Sequence, residues 1–492
     1  MFKRLALGLL TALLLLAAVL VANAWRQGSR QVQVPALAPL AVDERAVADS
    51  LSVAIRARTV SDLKDPNLNA DQFVALQSHI QQRYPKVHAT LKREMVGGLS
   101  LLYTWPGRDA TAPGVALMAH QDVVSISPGT ESLWQAEPFA GTIRDGYVWG
   151  RGAWDDKSNL ITQLEAVERL IANGFQPTRS IYLVFGADEE VGGERGALPI
   201  ARLLKERGVK LDFVVDEGLL ITEGVLPGLS RPAALVGLAE KGSVSVLLRA
   251  QAPGGHSSMP PPPGQSAIAQ LAQAITQVDG HPMPAVLDTR SIAGQMFDAI
   301  APEMPGAQRV VLSNLWLFRP LVQAQLEKGQ STNAMLRTTT AATIVQGGVK
   351  ENVLPAVAEA TVNFRIKPGD TQAAVLAHVR SVVANPAVQV SQLPGGFEPS
   401  QVASVESRGY QLVNRTLREV VPSALVAPGL MVGGTDSRHF AALSENILKF
   451  SPIRARPEDL PRFHGTNERI STAGLVEMVR FYHRLLQQAA GS

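Results

Sequence analysis

The sequence predicts an α/β fold with a mainly parallel central sheet, interrupted by an inserted two-layer α+β domain. Short apolar runs, VALMA (115 to 119), IYLVF (181 to 185) and FVV (213 to 215), alternate with the helix-patterned NLITQLEAVERLIANG and ALPIARLLKERG. Near-continuous apolar strands separated by helices are what a parallel sheet covered on both faces requires. From about residue 242 the texture changes to the order strand, helix, strand, strand, helix, strand, the pattern of a small two-layer domain. With 492 residues, of which 46% are hydrophobic, the chain is too long for one core.

The elements follow in chain order. Lys3 and Arg4 precede an apolar stretch from Leu5 to about Val21. This is an export element, with residues 1–24 either cleaved as a signal peptide after the small residues Ala22 and Ala24 or retained as a membrane anchor. Both readings place the rest of the chain outside the cytoplasm, periplasmic, secreted or anchored. Residues 25–45 read as a polar linker, and 46–241 as the first part of the α/β domain. The inserted domain spans 242–393: a strand SVSVLLRA, a loop QAPGGHSSMPPPPG, a helix from about Gln265, strands near 337–346 and 357–366, and a helix near 371–383. Residues 281–336 read as a less regular embellishment within it. Residues 394–492 return to the α/β texture, with ILKFSP and a final amphipathic helix from about 472.

Composition narrows the chemistry. The net charge of +3 is small for this length, and no basic stripe with interleaved aromatics argues for a nucleic-acid partner. The absence of cysteine removes disulfides, thiolate zinc sites and a thiol nucleophile, leaving His, Asp and Glu as metal ligands. Those residues gather where parallel sheets keep their functional groups, at the carboxyl ends of strands. His120 follows the first apolar run, Asp188 to Glu190 the second, and Asp216 with Glu217 the third.

Singly, each has a plain explanation. A histidine at a strand end is often structural, charge runs such as GADEEVGGE usually form a solvated turn, and Asp155 or Asp156 would cap the following helix. Together, AHQDVV, GRGAWDDKSN, ADEEVGG, VDEG and FHGTNE supply two histidines and several carboxylates to one sheet edge, a donor set suited to a pair of zinc-like ions.

With RTTTAATI, KENVLP, TVNFRIKPG and GGTDSR added, the chain resembles the co-catalytic dizinc peptidase family that includes carboxypeptidase S, aminoacylase and glutamate carboxypeptidase. The likeness covers nearly everything after about residue 45. It implies a zinc-peptidase catalytic domain carrying an inserted lid or dimerisation domain, with two zinc ions and a homodimer. One metal would be held by His120, Asp155 and Asp216, and the other by Asp155, Glu190 and His464, with Asp155 bridging. A shared carboxylate offsets the repulsion between two close dications. Asp156 is left to start the helix.

The resemblance also makes Asp122 the group that orients His120, against the plainer reading of a loop hydrogen bond. Glu189 becomes the general base, passing a proton from water to the departing amine. His256 in GGHSSMP becomes an oxyanion contact reaching across a dimer interface, against a plain turn histidine. Arg438 and Arg365 would hold a substrate carboxylate, with Asn333 as a further contact. Aminoacylase-like relatives carry an acidic residue where this chain has Asn363, so substrate detail transfers less directly. His79, His378 and His483 read as ordinary surface or core residues, and His439 stays open.

The activity implied is hydrolysis, or reversibly synthesis, of the amide bond of N-acyl amino acids, N-fatty-acyl ones in particular. The alternative is a metallo-carboxypeptidase or dipeptidase like carboxypeptidase S. A binding protein without turnover would lack the base or a ligand, and neither is missing. In either case the partner is a small N-acyl amino acid or short peptide, and the membrane is met only through the N-terminal segment.

Overall fold

The computed structural model describes every residue except Met1, Pro227 and Ser492. Met1 belongs to the expected leader and so lies outside the described residues. The central sheet has eight strands in the order Lys92–Val96, Ser100–Trp105, Ile181–Gly186, Gly114–His120, Leu211–Thr222, Ile447–Ala455, Ala233–Glu240, Leu425–Met431. The four middle strands run parallel. The first two are antiparallel, and Ala233–Glu240 runs against Ile447–Ala455 but parallel to Leu425–Met431.

Alternation along the strands explains the layers. On Gly114–His120, Val115 and Leu117 join the large core beneath the helices Lys157–Ala172, Glu44–Arg56 and Thr472–Ala490. Ala116 and Met118 face the other way, into a second core under Ala197–Glu206. Lys157–Ala172 lies between sheet and outer helices, and most of its side chains, all those from Lys157 to Val167 among them, are buried. Ser471 fixes the start of the last helix by accepting from the Gly474 backbone N–H.

The inserted domain is a four-stranded antiparallel sheet ordered Thr339–Gln346, Val357–Ile366, Gly242–Gln251, Val388–Gln392, with the helices Ala267–Gly280 and Gln372–Val383 on one face. Burial alternates residue by residue along its two central strands, as one covered face demands.

Two segments are placed by contacts distant in sequence. Residues 281–336 fold into short helices, and many of their apolar side chains pack with Ala427 and Leu235 of the central sheet, while Met283 joins the inserted domain's core. Covering the terminal strand Leu425–Met431 accounts for this, because an open edge is a template for unwanted pairing. Residues 25–45 are no free linker either. The Gln31 side chain accepts from the Val426 N–H and donates to the Val426 carbonyl, satisfying both edge groups, while Arg418 and Arg480 donate to the carbonyls of Val32 and Leu40.

Candidate functional site

Two strand ends, the middle of the strand Leu211–Thr222 and two loops meet at one edge of the sheet. His120 ends its strand, and its Nδ1 lies 3.0 Å from the Asp122 carbonyl oxygen and 3.4 Å from Asp122 Oδ1. The imidazole is thereby oriented so that Nε2 faces Asp155 Oδ1 at 2.9 Å. The other oxygen of the same carboxylate, Oδ2, lies 2.8 Å from His464 Nε2. One buried aspartate thus presents its two oxygens to two imidazoles. Glu190 Oε2 stands 3.4 Å from His464 Nε2 on one side, and Glu217 Oε1 stands 3.6 Å from His120 Nε2 on the other.

Asp122 does more than orient a ring. Its two carboxylate oxygens accept the backbone N–H groups of Glu189 and Glu190, both at 3.1 Å, and it also receives the Ser61 hydroxyl. The glycines of ADEEVGG close this turn: Gly192 N–H donates to the Glu189 carbonyl, and Gly193, at a φ of 69°, donates to the Asp188 carbonyl. Asp188 is not the solvated turn residue its sequence suggests. It is buried and accepts from the Arg195 backbone N–H at 2.8 Å, so its charge is spent on holding the loop.

Asp156 begins the helix Lys157–Ala172 as expected but does not cap it. Its carboxylate instead accepts from the His120 backbone N–H and the Asn159 side chain. On the third strand Asp216 Oδ2 accepts the Ser437 backbone N–H, while the adjacent Glu217 stands near His120. Asp216 also stays close to the cluster: burial raises Asp436 well above the usual carboxylate range and the Asp216 charge adds to it.

Sequence reasoning also missed Glu468, the last residue of FHGTNE. It is buried, pairs with Arg151 at 2.7 Å, and accepts the backbone N–H groups of Trp154 and Asp155, fixing the segment that carries Asp155. Removing a buried pair's partner costs about 3–5 kcal/mol. Glu468→Ala is therefore expected to lower stability by about that amount in denaturant unfolding, and a change under about 1 kcal/mol would contradict the assigned role. Asp436 of GGTDSR was likewise missed: it packs against Gly186, where an added Cβ would lie 2.8 Å from Asp436 Oδ2. Both residues lie in the motifs FHGTNE and GGTDSR, but nothing in the spacing set them apart from their neighbours.

The charges fit cations. His120, Asp155 and Glu190 form one group able to hold a metal, and His120, Asp156 and Glu217 another, each with donor atoms within 4.8 Å of one another. Glu190 Oε1 and Asp436 Oδ2 are buried without a hydrogen-bond partner. Burial raises Glu189 and Glu217 well above the usual carboxylate range, with neighbouring carboxylates adding to it. Burial pulls His464 down, yet its hydrogen bonds to Asp155 and Glu190 outweigh this and push it up to about 10. His120 is raised for the same kind of reason, by Glu217, Asp122 and Asp155.

Beside the cluster lies a cleft of about 390 Å³ whose lining includes Glu189, Arg365, Phe397, Met431 and Arg438. Arg438 donates to the carbonyls of Thr435 and Gly192 and sits 4.7 Å from the Phe397 ring centroid. Two expected site residues are not brought here. Asn333 lies in the short helix Gln330–Leu336 and is not part of the cleft lining. His256 is exposed on the inserted domain, with Nδ1 2.7 Å from the Ser258 hydroxyl. His439 is tied to the Gly192 carbonyl at 3.1 Å, His79 to Ser50 and His378 to the His281 carbonyl, while His483 is buried in the last helix.

Comparison with known proteins gives the geometry its setting. The chain is 41% identical over 447 residues to N-fatty-acyl-amino acid synthase/hydrolase PM20D1.1 of Danio rerio, covering 90% of this chain and 85% of the relative. It is 36% identical to the probable carboxypeptidase S-like 2 of Dictyostelium discoideum, covering 95% and 91%. Among solved structures it resembles the family metallo-carboxypeptidase Sso-CP2 of Sulfolobus solfataricus, with a TM-score of 0.63, 17% identity and coverage of 91% and 99%. The family model described as peptidase family M20/M25/M40 matches residues 116–488. A match over most of the chain, on a fold that gathers histidines and carboxylates at one sheet edge, makes this protein a hydrolase belonging to peptidase family M20/M25/M40.

Proposed function

We propose that the protein is a two-metal amidohydrolase that cleaves, and in reverse forms, the amide bond of N-fatty-acyl amino acids. The observation that carries this reading is Asp155, whose two oxygens face His120 and His464 separately, as a carboxylate bridging two ions must. We place one ion with His120, Asp155 and Glu217, and the other with Asp155, Glu190 and His464. Glu217 thus replaces Asp216. Two zinc-like dications in these positions would polarise an amide carbonyl and acidify a water molecule.

The chain's own groups do the rest. Glu189, held on a turn that Asp122 fixes through backbone N–H groups, takes the proton of the attacking water and delivers it to the departing amine nitrogen. The amide C–N bond breaks as that proton arrives. Arg438 and Arg365, both in the cleft, suit the free carboxylate of the amino-acid half. The exposed position of His256 fits delivery to the site of a second copy in a homodimer, where it would stabilise the oxyanion. Asn333 has no such support as a substrate contact.

The substrate follows the relatives named for N-fatty-acyl amino acids, which include those of Danio rerio and Homo sapiens at 41% and 38% identity. We place the catalytic part outside the cytoplasm, behind the apolar N-terminal helix. The test is a comparison of turnover on N-oleoyl-amino acids and on dipeptides by the metal-loaded protein. Faster release from the oleoyl substrates is expected, and faster dipeptide cleavage would contradict the substrate assignment.

A further inference from the structure

The helix Phe2–Arg26 is long and apolar enough to cross a membrane, and only Leu20 and Ala24 of it are buried. At about 1.5 Å per residue, its length is about 37 Å, enough for a hydrocarbon core. A helix apolar on all sides and open to its surroundings calls for lipid around it. Its last turns, however, enter a built socket in the segment 281–336.

Asn314, fully buried, donates to the Leu20 carbonyl and accepts from the Asn23 side chain at 2.8 Å. Arg309 donates to the carbonyls of Ala24 and Gln27, the helix-end acceptors that would otherwise lack partners, and lies 5.2 Å from the Trp25 ring centroid. The Trp316 indole N–H donates to the same Asn314 side chain. That contact places Trp316 beside the helix exit, at the start of the helix Leu315–Leu326.

Trp316 is 66% exposed and Leu321 65%, and Leu317 is also open. Leu317 and Leu321, four residues apart, share one stripe, and Trp316 stands a quarter-turn away from it at the helix start. An indole whose N–H is satisfied while its apolar body is open suits the headgroup boundary of a bilayer, where tryptophans collect.

We propose that residues 2–26 are retained in the mature protein as an anchor, socketed in the segment 281–336, and that Trp316, Leu317 and Leu321 rest in the interface of the same bilayer. The occupant of this surface is a phospholipid membrane, by continuity with the spanning helix. Cleavage after Ala24 would take the Leu20 carbonyl and the Asn23 amide from Asn314 and the Ala24 carbonyl from Arg309. The socket also ties the anchor to the segment that covers the sheet edge, so the catalytic body is held at a fixed height rather than swinging on a tether.

The test uses the full chain, purified from membranes and placed in phosphatidylcholine vesicles carrying brominated acyl chains. Intact mass is expected to include residues 2–24, and the protein to resist carbonate extraction. Tryptophan fluorescence is expected to be quenched, with a clear part of the quenching lost in Trp316→Phe. Leu317→Asp with Leu321→Asp is expected to abolish that part while leaving turnover of a soluble short-acyl substrate unchanged. A mature chain starting after Ala24, or quenching unaltered in Trp316→Phe, would overturn the proposal. Both readouts report position rather than turnover, so they stand apart from the proposed chemistry.

Discussion

Glu189→Gln is expected to retain bound metal and lose amide hydrolysis by at least about two orders of magnitude, the usual contribution of a positioned general base. The local fold gives a reason to expect a clean result. Asp122 grips the backbone N–H groups of Glu189 and Glu190, not the Glu189 side chain, so the turn survives the substitution. Glutamine keeps the volume and removes only the ability to take up and return a proton. Metal content measured beside turnover separates a lost base from a lost site, and unchanged turnover would end the proton-transfer role.

Glu217→Gln is expected to empty one of the two metal positions and lower turnover by at least about 100-fold, since loss of even a supporting group costs 10–100-fold in metal affinity. Asp216→Asn should keep both metals. Asp216 accepts the Ser437 N–H and lies outside both donor groups, so its replacement is expected to cost about 1–3 kcal/mol of stability instead. Elemental analysis of the two variants decides between the neighbours. Metal loss in Asp216→Asn with retention in Glu217→Gln would reverse the assignment.

His120 and Glu190 were legible because they follow apolar strands, and strand ends are where a parallel sheet must gather polar groups; Asp155 and His464 were pointed to only by the family resemblance. His120, Asp155, Glu190 and His464 come together from four separate motifs. How Asp216 and Glu217 divide their contacts was not legible. Which of two adjacent side chains faces the cleft depends on the register within Leu211–Thr222, which is irregular opposite Lys449 and Phe450.

Asp188 and Glu468 were hidden for another reason. A carboxylate in a polar loop looks solvated until the fold supplies its partners, here Arg195 for one and Arg151 with two backbone N–H groups for the other. The same holds for residues 25–45 and 281–336. Their role as covers of the sheet edge and holders of the N-terminal helix rests on side chains such as Gln31, Arg309 and Asn314 meeting distant backbone, which no local pattern encodes.

The central claim is a pair of metal ions bridged by Asp155. Its most direct test is the titration of chelator-stripped wild-type protein with zinc, following bound metal and hydrolysis of an N-oleoyl-amino acid together. Two equivalents per chain, with hydrolysis absent before metal and restored as both positions fill, is the expected result. Full hydrolysis by the stripped protein, or saturation at a single equivalent, would contradict it.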